Sequence, residues 1–235
     1  MPQFMILLTD QSSDVAQRPP LEMQSLIEGH SAYEKSLRAR SAYRDGERLR
    51  PSTEGCRVRN RDGEVQVDSG PFPEPPLTGY YVLEAESLDA ALALAEGCPL
   101  AAGAELEVRP LEGGRIEPDK SSKQGRVFAF AVLGSADREE GWTQVMDRIA
   151  GCSRQDFANV TTLGGVRLKA PSLGRRVRTS GASRVVFDGP FLESKEVIGG
   201  LLFMRFSSMQ EAVAFARGTE FVKHGAVEIR ELWRS

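Results

Sequence analysis

The chain has 235 residues, 40% of them hydrophobic and 27% charged, with a formal net charge of −3. This is the make-up of a folded globular protein, long enough for one large domain or two small ones. The acidic balance argues against nucleic acid and anionic membrane as partners. Three well-separated cysteines (Cys56, Cys98, Cys152) suggest neither a disulfide framework nor a metal site.

Phe4–Leu8 is a continuous apolar run, expected as a strand buried on both faces. It is too short for a signal peptide or a transmembrane helix, so a cytoplasmic protein with free thiols is expected. Pro19-Pro20 suits entry to a helix, where the missing donor is not needed. From Leu21 to about Arg40, Leu26, Ile27, Tyr33 and Leu37 form one stripe facing the sheet. Burying Leu26, Ile27 and Leu37 should contribute roughly 1.5–3 kcal/mol each before entropy is counted. His30 lies on the same stripe. Its plain reading is a core-edge histidine satisfied by backbone, and its functional reading is an acid–base group.

Gly55–Asn60 and Glu64–Asp68 flank Arg61-Asp62-Gly63, a hairpin signal because the turn needs positive φ. The loop Ser69–Thr78 carries Pro71, Pro73, Pro75 and Pro76 and should be stiff. Gly79–Ala85 reads as a strand. Ser87 caps a helix running from Leu88 towards Glu96, ended by Gly97 and Pro99, and Ala104–Leu111 reads as the next strand.

Gly113–Gly125, with Pro118 and the polar Lys120-Ser121-Ser122-Lys123, reads as a linker. The expected division is a first unit over 1–113, a linker over 114–125 and a second unit over 126–235. In the second unit Arg126–Leu133 is a strand and Arg138–Ile149 a helix with Trp142, Val145, Met146 and Ile149 inward. Arg175–Arg178 and Ser183–Phe187 form a hairpin, and Gly199–Phe206, helix Met209–Arg217 and Ala226–Trp233 follow. Arg175, Arg176 and Arg178 read as a solvated strand face rather than a nucleic-acid site, and Arg59 and Arg178 as surface partners of Glu64 and its neighbours.

The two halves share more than their element order. Asp188-Gly189-Pro190-Phe191 has an altered echo in Ser69-Gly70-Pro71-Phe72, and the preceding segment from Leu49 to Arg59 aligns with Leu168 to Arg178 at the same offset of 119 residues. After the loop the offset becomes 121, matching Tyr80-Tyr81-Val82-Leu83 to Leu201-Leu202-Phe203-Met204 and Glu107-Val108-Arg109 to Glu228-Ile229-Arg230. Matches in one order with one small gap indicate a tandem duplication. Phe4–Leu8, Gly79–Leu83, Val127–Leu133 and Leu201–Phe206 lack clean alternation, so a helix layer on one face is not enough cover. The expected fold is α+β, with the two repeats' sheets face to face and helices outside, as a pseudo-dimeric α/β barrel within one chain.

The hairpin, the Asp-Gly-Pro-Phe loop with the Glu193–Gly200 segment after it, and the closing Val227-Glu228-Ile229-Arg230 resemble the YCII-related, or DGPF, proteins. The first repeat resembles them from Phe4 to Leu111, and the second most clearly from about Arg175 to Leu232. The resemblance implies ferredoxin-like units that pair as dimeric α/β barrels. It also implies two functional themes: enzyme-like relatives with a His-Asp pair proposed as general acid and base, and an association with extracytoplasmic-function sigma factors.

Here the pair is split. The first repeat has His30, but Ser69 stands at the aspartate position with Asp68 before it. The second has Asp188, but Ile149 stands at the histidine position. The candidate site is therefore His30 with Asp68 or, across the barrel, Asp188. The loop motif residues are Ser69, Gly70, Pro71 and Phe72 with Gly189, Pro190 and Phe191. Asp188 has a plain reading as a turn cap.

Three functions are weighed: a small-molecule binder in or beside the barrel, a cofactor-free enzyme using the His-Asp pair, and a protein-interaction scaffold in sigma-factor regulation. No metal, nucleotide or flavin motif is present, since Gly164-Gly165 and Gly199-Gly200 do not make a phosphate loop. No cofactor is expected. The intrachain pseudo-dimer leaves room for a further homodimer.

Overall fold

The computed structural model describes all residues except 11–17, 73–74, 117–124, 136–159, 181–182, 189–195, 224 and 234–235. In chain order the first half supplies β1 (Gln3–Asp10), α1 (Pro20–Ala39), β2 (Tyr43–Arg48), β3 (Cys56–Arg61), β4 (Glu64–Ser69), β5 (Leu77–Glu84), α2 (Leu88–Ala95) and β6 (Ala104–Ile116). The second supplies β7 (Arg126–Ser135), β8 (Thr161–Leu168), β9 (Arg175–Ser180), β10 (Ser183–Asp188), β11 (Glu196–Phe206), α3 (Met209–Arg217), the short α4 (Glu220–Lys223) and β12 (Ala226–Glu231). The protein is thus mixed α+β, with few helices on one large antiparallel sheet. The expected helix Arg138–Ile149 lies outside the described residues.

Local chemistry fixes several boundaries. Pro20 opens α1, and the Ser87 and Ser208 side chains accept from Ala90 N–H and Glu211 N–H to cap α2 and α3. Between β3 and β4, Asp62 and Gly63 take φ of 54° and 88°, as a tight hairpin turn requires.

The sheet runs β2-β5-β1-β6-β8-β11-β7-β12-β3-β4, with β9 pairing to both β6 and β10. Each hairpin therefore leaves its own repeat. The first-half hairpin β3–β4 pairs with β12, and the second-half hairpin β9–β10 pairs with β6. The halves also meet strand to strand. Leu111 of β6 faces Leu168 of β8, with Lys169 N–H donating to Pro110 O at 2.9 Å. At the repeat-related junction Leu49 bridges Leu232, and Arg50 N–H donates to Glu231 O at 2.9 Å.

The strands' unbroken apolar runs are resolved by two packing layers. Met5 and Leu7 of β1, Tyr80 and Val82 of β5, Val127 and Ala129 of β7, and Leu201 and Phe203 of β11 share one core built from both repeats. The alternate residues turn the other way. Phe4, Ile6 and Leu8 pack with Tyr33 and Leu37 of α1 and Ala91 and Ala95 of α2, while Phe128, Phe130 and Val132 pack with Ala212 and Ala216 of α3. A strand between two such layers has no polar face, hence the lack of alternation.

The structure differs from expectation in several places. Residues 43–48 and 161–168, for which no strand is expected, form β2 and β8. Their polar or glycine-rich sequences, such as Tyr43-Arg44-Asp45-Gly46-Glu47-Arg48, carry no strand pattern, yet they are the strands that carry the repeats' junctions. Strand β6 continues to Ile116, into the stretch expected as linker, because β8 offers it a partner.

Ile27 is not buried but 49% exposed, since the first half of α1 stands away from the sheet. Lastly, Arg59 pairs not with Glu64 but with Asp68 at 3.3 Å and Glu196 at 3.6 Å. The basic cluster is not simply solvated either. Arg178 pairs with Glu105, which is itself buried, Arg176 lies 3.7 Å from the same carboxylate, and Arg175 meets Asp188.

Candidate functional site

Where α1 lifts from the sheet, a cavity of about 410 Å³ opens between its first turns and strands β1, β2 and β5. The helix closes on the sheet only further along, through buried Tyr33 and Leu37. Met23, Leu26 and Ile27 give the cavity an apolar roof, and Leu8, Tyr80 and Tyr81 belong to its floor. A wall is polar, with His30 from α1 and Arg48 from the end of β2. Trp233, from the far end of the chain, completes the lining.

His30 Nδ1 lies 2.9 Å from the Tyr81 hydroxyl, with the two rings stacked at 6.0 Å between centroids. Tyr33 meets Tyr81 edge-on at 5.2 Å. Burial raises the Tyr81 hydroxyl far above its usual pKa, so it stays protonated. His30 is shifted downward, first by burial and second by the Arg48 guanidinium, so its neutral form is favoured. Gly46 admits this arrangement, because a Cβ there would sit 2.5 Å from Tyr81 Cδ1.

The structure does not bring the two aspartates to His30. Asp68, at the end of β4, is held by Arg59, and Asp188, at the end of β10, lies 2.7 Å from Arg175 with its side chain 88% exposed. Both sit on hairpins that have crossed to the other repeat, whereas His30 stays over its own sheet. Of the loop motif, Gly189, Pro190 and Phe191 lie outside the described residues. Ser69 ends β4, and Gly70 N–H donates to Gly55 O at 3.0 Å. A Cβ on Gly70 would fall 1.8 Å from Ser52 O, so only glycine lets the loop lie against the Ser52–Glu54 turn. Phe72 receives the Arg57 guanidinium over its ring at 4.3 Å. These contacts are structural, and they anchor the exchanged hairpin.

Residue-level reading of the sequence passes over Tyr81, Arg48 and Trp233. A signal for two of them was present. At the repeat offsets His30 and Tyr81 correspond to Ile149 and Leu202, so a polar pair in one repeat stands as an apolar pair in the other. Arg48 corresponds to Arg167. Among the described residues no group of three or more His, Cys, Asp or Glu is placed to hold a metal ion, and no helix is long and apolar enough to cross a membrane. Cys56 and Cys98 are free thiols, and Cys152 is not among the described residues.

A twofold-repeated α+β unit with an antiparallel sheet, exchanged hairpins and a cavity under its first helix defines the class of this protein. The chain belongs to the YCII-related domain family, whose model matches it twice, over residues 3–112 and 120–235. The double match agrees with a tandem duplication. No curated protein matches the chain. Among solved structures it is similar to "Putative Chlorite dismutase TA0507", with 9% identity over 100% of this chain and 96% of that one and a TM-score of 0.36. It is also similar to "Putative monooxygenase (FN1347)" from Fusobacterium nucleatum subsp. nucleatum, with 12% identity over 98% and 91% of the chains and a TM-score of 0.39. At these scores neither likeness extends to activity.

Proposed function

We propose that the protein binds a small molecule in the cavity beneath α1, beside a pseudo-dimeric barrel formed by two ferredoxin-like repeats. The observation that carries this reading is a contrast between two spaces. The space between the sheets is filled by apolar side chains from both repeats, whereas the space under α1 is an open cavity of about 410 Å³ with a few polar groups, of the size and lining of a ligand pocket. Barrel closure is supported by the two repeat-related junctions, the β6–β8 pairing and the single Leu49–Leu232 bridge just beyond the ends of β2 and β12.

The test is a small-molecule screen by NMR, followed through the His30 imidazole and the Trp233 indole, each assigned with a single substitution (His30→Gln, Trp233→Phe). Ligands should shift both signals, and Leu26→Trp, which fills the cavity from α1, should abolish the response while leaving the melting temperature near that of the wild type. A screen that moves neither signal would overturn the reading.

A second reading is favoured by the 2.9 Å contact between His30 and Tyr81. A neutral imidazole beside a protonated phenol, facing a cavity, suits proton transfer to and from a bound substrate without a cofactor. The residues proposed for that chemistry are His30 and Tyr81 rather than Asp68 or Asp188. Turnover lost in both His30→Gln and Tyr81→Phe, with binding retained, would separate catalysis from binding.

A further inference from the structure

Among the cavity's charged groups, Arg48 stands apart. Its guanidinium lies over the Trp233 ring at 4.5 Å, and among the described residues no carboxylate pairs with it. The other ionisable groups of the wall differ. Arg18 is engaged by Asp10 and Glu22, and Glu34 by Arg38. Burial lowers the Arg48 pKa, and among the described residues no carboxylate offsets it. A partly buried cation without a counter-ion is a cost to the folded protein unless something anionic completes it.

We propose that this cavity takes a small organic monocarboxylate, its carboxyl group held by Arg48 and its apolar body lying beneath α1. The inference rests on the binding reading above and gives it a ligand class. A guanidinium fork matches a planar carboxylate with two parallel hydrogen bonds, and its place over the Trp233 ring restrains where the fork can lie. Met23, Leu26 and Ile27 above and Leu8 and Tyr81 below accept a hydrocarbon or ring. Asp10, Glu34 and Glu47 on the same lining disfavour ligands with more than one negative charge. The site also needs both repeats, because Trp233 belongs to the second and its backbone N–H donates to Arg48 O at 2.7 Å.

The experiment compares benzoate with benzamide, its uncharged analogue of the same shape, on the full chain by NMR at His30 and Trp233. Benzoate should bind at least about tenfold more tightly, as expected for a charge-assisted pair. Arg48→Gln should remove that preference by weakening benzoate far more than benzamide, and a benzamide shift that persists in the variant shows that its pocket is intact. Arg48→Lys, a point charge without the fork, should retain only part of the preference. Equal binding of the two compounds by the wild type, or a preference that survives in Arg48→Gln, overturns the carboxylate inference and leaves the pocket reading standing. No shift from either compound overturns both.

Discussion

His30 carries the clearest consequence of a single side chain's surroundings. Burial, with Arg48 adding to it, moves its pKa below the usual imidazole value near 6.5. Between that lowered value and 6.5 the unfolded chain binds the proton that the folded one refuses. Stability is therefore full above about pH 6.5 and falls as the pH drops towards the folded pKa. Urea unfolding at pH 7.5 and 5.5 should show the wild type losing more stability than His30→Gln over that interval. A wild type with no larger loss than the variant would contradict the assignment.

Tyr81→Phe removes the partner of His30 Nδ1 and should cost about 0.5–1.5 kcal/mol, read from denaturant midpoints. His30 itself was visible in the sequence as a histidine on an apolar stripe. Its partner was not, because periodicity says which face a residue takes and nothing about which long-range neighbour it meets. Tyr81 reaches His30 across 51 residues of sequence.

Among elements, the proline-rich loop behaves as an anchor rather than as a reactive motif. Gly70 lies backbone to backbone against Ser52, so Gly70→Ala forces a collision with a carbonyl oxygen and should destabilise the protein by about 1–3 kcal/mol. Thermal melts of Gly70→Ala and of Gly63→Ala, where a Cβ meets open space but φ is 88°, would separate collision from backbone strain.

The hairpin, α2, α3 and the long apolar strands were legible because each has a local signature: Asp-Gly in the turn, serine caps, apolar runs. Strands β2 and β8 have none. They are strands because β5, β6 and β11 present open edges to them, and tertiary pairing of that kind overrides local propensity. The Arg48 site shared their fate, since it lies at the end of one of them.

For the whole molecule the duplication and the two-layer burial followed from sequence, whereas the exchange of hairpins did not. A repeat offset says which segments are equivalent but not which copy each will pair with. The inner core is common property of the repeats, and Leu201 sits in it with no exposure. Leu201→Asp places an unpaired charge there and should cost more than about 3 kcal/mol, against little change for Leu173→Asp at a half-exposed turn. Residues 1–116 expressed alone should not persist as a folded monomer. Their inner face and their hairpin both need a second unit, so sedimentation should find a dimer or an unfolded chain, and a stable monomer would contradict the shared core.

The exchanged hairpin also bears on how the chain is made. Strand β3 completes its pairing with residues 226–229, and Arg57 reaches the Glu228 carboxylate across 171 residues of sequence. On the ribosome, the chain must emerge through residues 226–229 before the first hairpin finds its place. Until then the nascent first repeat presents an open strand edge and an uncovered apolar face, the surfaces that chaperones recognise and that aggregate when left alone. A strand synthesised long after β3 is thus the one that lets the first half finish folding.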